Sequence, residues 1–249
     1  MKTLLFLLLF ISSVSYAQTN LRINAVSYNI HNGIGMDEKT DYERIARVIN
    51  ELHPDIVALQ ELDSVTKRSN GKYVLGELAK LTNMHESYAA AIKYQGGSYG
   101  IGILSKEKPL HAQIIPMPGR EEKRTMLIAE FPEYVFCATH QSLTPEDQVA
   151  SVKLIQKALK EIKKPILFAG DMNAKPADKP QIELKKFLIP LNDTSSPTFP
   201  SDRPEDCIDY IYAYKNNKYR FKVEQRSVIN ESMASDHRPV QVIVNIEKK

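Results

Sequence analysis

Apolar residues recur along the chain in two spacings, one typical of strands and one typical of helices. Residues 21–29 alternate apolar and polar positions, which predicts a β-strand, whereas residues 41–52 place apolar side chains on one helical face and end before Pro54. The pattern predicts strands at 21–29, 56–59, 85–92, 99–104, 109–115, 124–131, 134–139, 166–169, 207–213, 219–228 and 239–246. It predicts helices at 41–52, 72–81, 145–160 and 178–187.

The order of these elements indicates a layered α/β sandwich. Helices flank many strands, and such elements bury their apolar faces by stacking in layers. The strands between residues 85 and 139 follow one another through short connections, which favours antiparallel pairing. The longest irregular stretch, 190–205, is rich in Pro, Ser and Thr, and long loops inside compact domains are often functional. Because no linker or internal repeat divides residues 18–249, we expect a single domain there.

The first 17 residues have the parts of a secretory signal peptide. Lys2 gives a positive start, an apolar run follows at 4–11, and Ser15 and Ala17 are small residues placed for cleavage before Gln18. The apolar run is shorter than the roughly 18 to 20 residues that a membrane-spanning helix needs. We therefore expect an exported protein, periplasmic or secreted, with no integral membrane segment after cleavage.

Composition excludes several classes of protein. The chain is 43% hydrophobic and 25% charged, which are ordinary globular values and exclude collagen, coiled coil and disorder. Loss of Lys2 with the signal peptide leaves a formal charge of +2, too small for a strongly basic nucleic-acid-binding protein. Two cysteines exclude a disulfide scaffold and a multi-cysteine zinc module.

Polar and ionisable side chains stand where the predicted strands begin or end. These candidates are Asn29, Glu61, His140, Asp171, Asn173, Asp209, Asp236 and His237. Strand ends on a rigid sheet can bring side chains from distant parts of a chain to one site. Asp209 lies inside an apolar run, and a buried carboxylate needs a partner, for which a histidine is suited.

The residue types of this set point to phosphate-ester hydrolysis. Carboxylates and amides are hard oxygen ligands that suit Mg²⁺ or Mn²⁺, whereas structural zinc sites use closely spaced Cys and His that are absent from this sequence. An Asp–His pair provides a general base or a cation that stabilises negative charge. A hard cation, an Asp–His pair and amide donors together are what water attack on a phosphate ester requires.

Seven short motifs occur in order along the chain. They are Ser27-Tyr28-Asn29-Ile30-His31-Asn32-Gly33, Leu59-Gln60-Glu61, Gly100-Ile101-Gly102-Ile103-Leu104-Ser105, Thr139-His140, Gly170-Asp171-Met172-Asn173-Ala174, Ile208-Asp209-Tyr210-Ile211 and Ser235-Asp236-His237-Arg238-Pro239. Together they resemble the endonuclease/exonuclease/phosphatase superfamily, which includes DNase I, abasic-site endonucleases, neutral sphingomyelinases and inositol-polyphosphate 5-phosphatases. The resemblance covers essentially all of residues 21–246.

The resemblance implies a fold and a metal site. The fold would be a four-layer α/β/β/α sandwich of the DNase I type, with the site at one edge of two packed sheets. Glu61 would be the main ligand of Mg²⁺, with Mn²⁺ as an alternative ion. Asn29 would support Glu61, and Asp236 would lie at or near the metal.

The resemblance also implies catalytic roles. Asp171 would position or deprotonate the attacking water, and Asn173 would bind a phosphoryl oxygen. Asp209 would orient His237. His140 would contact the phosphate or assist the leaving group.

Three further residues are candidate substrate contacts. Arg124 matches a position at which the resemblance implies an arginine contact to substrate phosphate. Tyr99 follows a glycine-rich segment, and His31 lies beside Asn29, so both are placed to reach the site. The position after Thr139-His140 is often Leu and an acidic residue in such proteins, whereas Gln141 and Ser142 stand here.

Strand alternation predicts that the two cysteines stay unpaired. Cys207 would share a strand face with Asp209, and Cys137 would face away from His140. If Asp209 and His140 both point into the site, the two thiols point in opposite senses.

The sequence favours an exported, metal-dependent phosphoesterase and leaves its substrate open. A small charge and the absence of Trp give a slight preference for a small or lipid-headgroup phosphoester over DNA. The alternatives are a non-specific nuclease of the same fold and a binding module that has lost catalysis. A serine or cysteine hydrolase is disfavoured because no nucleophile stands in the required motif. We expect a monomer.

Overall fold

The computed structural model describes residues 21–249, so the predicted signal peptide lies outside the described residues. Over that range the chain forms twelve strands and four α-helices. The strands are β1 Leu21–Asn29, β2 Ile56–Ser64, β3 His85–Tyr94, β4 Gly97–Ser105, β5 His111–Met117, β6 Arg124–Glu130, β7 Val135–His140, β8 Ile166–Asp171, β9 Leu188–Pro190, β10 Asp209–Tyr214, β11 Tyr219–Val228 and β12 Val240–Lys248. The helices are α1 Tyr42–Glu51, α2 Val74–Thr82, α3 Pro145–Leu159 and α4 Lys179–Leu184.

The strands form two mixed sheets of six strands each. The first sheet has the order β11-β12-β1-β2-β4-β3, and the second has the order β5-β6-β7-β8-β10-β9. In each sheet one central pair is parallel, β1 with β2 and β7 with β8, and the remaining pairs are antiparallel. Parallel neighbours need a crossover connection, and α1 and α3 provide it.

Helices and sheets stack as four layers, with an apolar layer of side chains between each neighbouring pair. Inward-facing side chains of both sheets, such as Ala25 and Ala169, form the layer between the sheets. The outer face of the first sheet packs against α1 and α2, and the outer face of the second packs against α3 and α4. The predicted α/β/β/α sandwich is therefore confirmed. Both faces of the central strands are buried, which explains their nearly continuous apolar runs.

Local sequence signals mark where the helices begin and end. Asp41 precedes α1, and its carboxylate accepts a hydrogen bond from the Arg44 amide at 2.8 Å. Pro145 opens α3, where its missing N–H costs nothing. α2 ends at Asn83, which adopts the left-handed conformation common at helix ends.

Apart from shifts of element ends by up to three residues, the structure differs from the sequence prediction in three respects. β2 runs on to Ser64 because a bulge lets it resume after residue 61. β9, a three-residue edge strand, was not predicted, since it is too short to show an alternating pattern. The run of strands from 85 to 139 is antiparallel within each sheet, but between β4 and β5 the chain passes from one sheet to the other.

Both cysteines are free and buried, as expected. Cys137 faces away from His140 as predicted, but the prediction that Cys207 shares the face of Asp209 is wrong. Cys207 lies before the start of β10, so the alternation of that strand does not fix its direction. It packs in the same outer apolar layer as Cys137. None of the helices in residues 21–249 is long and apolar enough to cross a membrane.

Candidate active site at one edge of the two sheets

The predicted polar residues meet at one edge of the sandwich. The carboxyl ends of β1, β2, β7 and β8 lie at this edge, together with the amino ends of the antiparallel strands β10 and β12. Asn29, His140, Asp171 and Asp209 each continue the inward-facing positions of their strands. Strand alternation therefore directs all four side chains into the space between the sheets.

Glu61 reaches the site through a bulge in β2. Regular alternation would place Glu61 on the helix-facing side, but the pairing with β4 shifts between Leu59 and Leu62, and Glu61 has a left-handed φ of 61°. Its carboxylate accepts hydrogen bonds from Asn29 Nδ2 at 3.1 Å and from Asn32 Nδ2 at 3.4 Å. Glu61 makes no ion pair with any residue of 21–249, so its negative charge is uncompensated there.

Asp171 is the centre of the site. Its Oδ2 accepts a hydrogen bond from Asn29 Nδ2 at 3.1 Å, and its Oδ1 accepts one from the main-chain N–H of Asn173 at 2.8 Å. His140 Nε2 lies 3.5 Å from Oδ2, and His237 Nε2 lies 3.7 Å from the same oxygen. Asn29 thus joins the carboxylates of the two sheets through a single amide group.

Asp209 and His237 form a buried pair. His237 Nδ1 lies 2.9 Å from Asp209 Oδ2, and Thr198 Oγ1 donates to the same oxygen at 2.6 Å. The Phe199 ring packs against the imidazole with 4.8 Å between the ring centroids. The loop after residue 190, which the sequence marked as irregular, therefore fixes this pair from one side.

The pKa values of Asp171 and His237 are both raised, by different balances of burial and neighbouring charge. Burial, with the Asp209 carboxylate beside it, raises the pKa of Asp171 to about 7. Burial alone would lower the pKa of His237, but the Asp209 and Asp171 carboxylates outweigh it and raise that pKa to about 10. The two carboxylates thus favour the charged form of the His237 ring, and burial beside Asp209 favours the protonated form of Asp171 more than in a free carboxyl group.

His140 is held neutral. Burial, together with the positive charges of Arg124 and His237, lowers its pKa well below the usual value. A neutral imidazole can donate one hydrogen bond and accept another, so His140 can contact a phosphoryl oxygen without adding charge.

Asn173 lies beside Asp171 and has a left-handed φ of 47°. Its Nδ2 donates to the Gln141 carbonyl at 3.0 Å, and its own carbonyl accepts from Gln148 Nε2 at 2.8 Å. The segment after β7 thus orients the Asn173 side chain, and Gln148 of α3 holds the Asn173 main-chain carbonyl. One amide hydrogen of Asn173 remains for a substrate.

A cavity of about 340 Å³ opens beside Glu61. Its lining residues are His31, Asn32, Glu61, Arg68, Tyr94, Tyr99, Glu122 and Asp236. His31 Nδ1 lies 3.9 Å from Asp236 Oδ1, and Ser235 Oγ lies 3.3 Å from the same oxygen. Four of the predicted residues, His31, Glu61, Tyr99 and Asp236, therefore share one cavity.

Arg68, Asn32 and Tyr94 were missed by the sequence analysis. The Arg68 guanidinium binds the buried Asp63 carboxylate at 2.8 and 2.9 Å and donates to Asn32 Oδ1 at 2.6 Å. It lies 4.8 Å from the centroid of the Tyr94 ring. The sequence offered one signal for Asn32, its place in the first motif three residues after Asn29. Arg68 and Tyr94 lie outside all seven motifs, so the sequence offered no signal for them.

Arg124, a predicted substrate contact, is buried and paired with two carboxylates. Arg124 Nη1 lies 3.1 Å from Glu122, and Nη2 lies 3.6 Å from Glu121. Its Nε has no hydrogen-bond partner among residues 21–249. Glu121 in turn accepts bonds from Ser142 Oγ at 2.6 Å, the Leu143 amide at 2.8 Å and Thr144 Oγ1 at 3.0 Å.

The site offers two sets of metal-binding groups. Asp171, Asp209 and His237 carry possible ligand atoms that all lie within 4.8 Å of one another, so this buried cluster fits a metal site. Glu61 and Asp236, the ligands implied by the resemblance, lie outside that cluster on the cavity wall. The buried Asp209 Oδ1 has no hydrogen-bond partner within the described chain, and Glu61 has no cation, so the arrangement suits a hard divalent ion.

A four-layer sandwich with this group at the edge of its two sheets has the architecture of the DNase I-like class of proteins. The model of the endonuclease/exonuclease/phosphatase family matches residues 26–237, and the chain belongs to that family. Its members act on phosphoester bonds and generally use a divalent metal ion.

Solved structures share the fold at low sequence identity. An endonuclease/exonuclease/phosphatase from Beutenbergia cavernae DSM 12333 is 21% identical, with a TM-score of 0.72 over 90% of this chain and 72% of that one. The mannosyl-6-phosphatase of Bacteroides thetaiotaomicron VPI-5482 is 16% identical, with a TM-score of 0.68 over 89% and 99% of the two chains. A humanized D. rerio TDP2 with 14 mutations is 18% identical, with a TM-score of 0.71 over 90% and 99%.

Proposed function

We propose that this protein is an exported phosphoesterase that hydrolyses a phosphate ester by attack of water, with Mg²⁺ or Mn²⁺ as its cofactor. The observation that carries the proposal is the position of Asp171 between the Asp209–His237 pair and the Glu61 carboxylate. Asp171 Oδ2 lies 3.7 Å from His237 Nε2, and Asn29 Nδ2 donates hydrogen bonds to both Asp171 and Glu61. This arrangement places a proton acceptor, a buried cation and an uncompensated carboxylate around one space.

Glu61 and Asp236 are the residues proposed to hold the metal, with Asn29 supporting Glu61. His237 is a poorer ligand, because its Nδ1 is bonded to Asp209 and its raised pKa keeps the ring protonated at neutral pH. A bound divalent ion would withdraw charge from the phosphoryl oxygens.

Asp171 is the proposed acceptor of the proton of the attacking water. A pKa near the operating pH suits a general base, and burial beside Asp209 raises that of Asp171 to about 7. His237 is the proposed stabiliser of negative charge at phosphorus, since Asp209 keeps its ring charged and oriented. Asn173 and the neutral His140 would donate hydrogen bonds to the phosphoryl oxygens.

Export and substrate are the remaining parts of the proposal. Residues 1–17 carry the pattern of a cleaved signal peptide. The cavity beside Glu61 has the volume of a small-ligand pocket, which supports a small or lipid-headgroup ester over a duplex.

Hydrolysis of p-nitrophenyl phosphate and bis-p-nitrophenyl phosphate by the purified protein tests the activity. With Mg²⁺, we expect turnover that EDTA stops and that Mg²⁺ or Mn²⁺ restores. Glu61→Gln, Asp171→Asn and His237→Ala should each lower kcat by on the order of 10²-fold or more.

The control variant is Glu133→Gln, which removes a carboxylate from an exposed turn between β6 and β7. It should leave kcat unchanged. Near-normal turnover in all three site variants would contradict the proposed site, and a rate insensitive to EDTA would contradict the metal. Absence of turnover in the wild-type protein would favour a binding role for the fold.

A further inference from the structure

A single glutamine of α3 joins the loop that follows β7 to the loop that follows β8. Gln148 lies near the start of the helix and is buried, with 4% of its surface exposed. Its Nε2 donates hydrogen bonds to the Ser142 carbonyl at 2.7 Å and to the Asn173 carbonyl at 2.8 Å. Since an amide nitrogen carries two hydrogens, these two bonds use the whole donor capacity of the side chain.

The two carbonyls that Gln148 binds lie on either side of the bond that orients Asn173. Asn173 Nδ2 donates to the Gln141 carbonyl at 3.0 Å, and Gln141 directly precedes Ser142 in the chain. Gln148, Asn173 and the segment 141–142 therefore form a closed ring of hydrogen bonds. One buried amide thus holds both the donor and the acceptor of the bond that sets the direction of the Asn173 side chain.

The backbone of Asn173 depends on this support. Its φ of 47° lies in the left-handed region, which is unfavourable for a residue other than glycine. Its main-chain N–H donates to Asp171 Oδ1 at 2.8 Å, and its carbonyl accepts from Gln148, so the peptide groups before and after the residue are both held. Loss of Gln148 would release the second of these peptide groups and allow Asn173 to relax, which would turn its side chain.

The rest of the loop after β8 is held without Gln148. The Met172 N–H donates to the Ile208 carbonyl at 2.8 Å, and the Tyr210 hydroxyl lies 2.9 Å from the Ala174 carbonyl that it binds. These contacts lie on either side of Asn173 and come from β10 and the residue before it. Loss of Gln148 should therefore disturb Asn173 locally and leave the neighbouring residues in place.

We infer that Gln148 is a positioning residue for the proposed hydrolysis, because it holds Asn173 where its free amide hydrogen meets a phosphoryl oxygen. The inference rests on the proposed function, in which Asn173 binds that oxygen. Both amide hydrogens of Gln148 are bound to main-chain carbonyls, so it acts on the substrate through Asn173. Its loss should affect kcat more than KM, since the charge on the phosphoryl oxygens is stabilised most strongly in the transition state.

Gln148→Met tests the inference, because methionine keeps the length of the side chain and removes both donors. The substrate is whichever p-nitrophenyl ester the wild-type protein hydrolyses faster in Mg²⁺. We expect kcat to fall by about 10- to 100-fold, as for a small misplacement of a substrate contact, and KM to change by less than about 3-fold.

Gln181→Met is the matched control. Gln181 is a fully buried glutamine of α4, and its side chain accepts a hydrogen bond from the Tyr212 hydroxyl in the outer apolar layer, away from the site. The variant should lower the midpoint of urea denaturation, because it too removes a buried amide, but it should leave kcat unchanged.

A double-mutant cycle separates positioning of Asn173 from a general loss of order. Asn173→Ala should itself lower kcat by about 10²-fold. In that background Gln148→Met should change kcat by less than about 2-fold, because no amide remains to be positioned. A merely structural role of Gln148 would lower kcat by the same factor in both backgrounds.

Gln148→Glu provides a second variant in case Gln148→Met does not fold. Glutamate keeps the size and polarity of the side chain but has no hydrogen to donate when ionised. It should show the same loss of kcat and the same result in the cycle. Far-UV circular dichroism confirms the fold of each variant before its kinetics are measured.

Three outcomes overturn the inference while hydrolysis by the wild-type protein supports the proposed function. They are a wild-type kcat in the Gln148 variants, a wild-type kcat in Asn173→Ala, and an equal loss of kcat in both backgrounds of the cycle. Absence of turnover of both p-nitrophenyl esters by the wild-type protein would instead refute the proposed function, and this inference with it.

Discussion

Asp171 is a residue whose environment serves chemistry at a cost in stability. It is buried against Asp209, and its ionised form has two histidine rings within 4 Å but only one of them charged. Its pKa therefore rises to about 7. A carboxyl whose folded pKa is raised contributes stability that is full below its unfolded pKa of 3.8 and is lost as the pH rises through 7.

Asp171→Asn should make the metal-free protein less sensitive to this change of pH. We expect the free energy of unfolding of the variant, relative to wild type, to improve by up to about 4 kcal/mol between pH 4 and pH 8, because a pKa shift of about three units is worth that much. Urea denaturation in EDTA at the two pH values measures it.

Glu133→Gln provides the reference, since it removes an exposed carboxylate and should show the same pH dependence as wild type. A difference between Asp171→Asn and wild type that stays constant from pH 4 to pH 8 would contradict the raised pKa of Asp171.

At the scale of elements, one carboxylate joins the loop before β6 to the loop before α3. Glu121 accepts hydrogen bonds from Ser142 Oγ, the Leu143 amide and Thr144 Oγ1. Burial would raise the pKa of Glu121, but these bonds outweigh it and lower the pKa to about 2. Glu121 thus binds the segment that carries Ser142, where the resemblance leads one to expect an acidic residue.

Glu121→Gln should destabilise the protein by about 1 to 2 kcal/mol at pH 7, because hydrogen bonds to a charged acceptor become bonds to a neutral amide. A lowered folded pKa gives stability that is present above pH 4.5 and lost as the pH falls through 2. The difference from wild type in urea denaturation should therefore shrink between pH 5 and pH 2. A difference that is the same at both pH values would show that Glu121 acts by packing alone.

At the scale of the whole molecule, the site exists only because two sheets are stacked. Asn29 and Glu61 come from the first sheet, and Asp171 and Asp209 come from the second. The 3.1 Å contact between Asn29 and Asp171 crosses from one sheet to the other. Separation of the sheets would therefore remove the site as well as the central apolar layer.

The proposed export also concerns the molecule as a whole. Produced at full length in a bacterium, the protein should be recovered outside the cytoplasm with Gln18 as its first residue, because Ser15 and Ala17 are the small residues that a signal peptidase accepts. Ala17→Phe should block cleavage, and intact-mass measurement of both proteins checks it. An uncleaved wild-type chain in the cytoplasm would contradict the signal peptide.

The sequence by itself determined the layered fold and the main polar residues of the site. Strand alternation and helical spacing are local, so β1 and α3 could be placed to within a residue or two, and the inward positions of Asn29, His140 and Asp171 follow from the same alternation. The order of the motifs supplied the family, which the match over residues 26–237 confirms.

Only the tertiary structure decided how these residues meet. The bulge that turns Glu61 into the site depends on pairing with β4, and the contact of Arg68 with Asn32 joins residues 36 positions apart. Cys207 follows the packing of its layer rather than the alternation of a strand. Periodicity in a sequence reports which face of an element is buried, whereas register, bulges and contacts between distant loops arise when the elements stack.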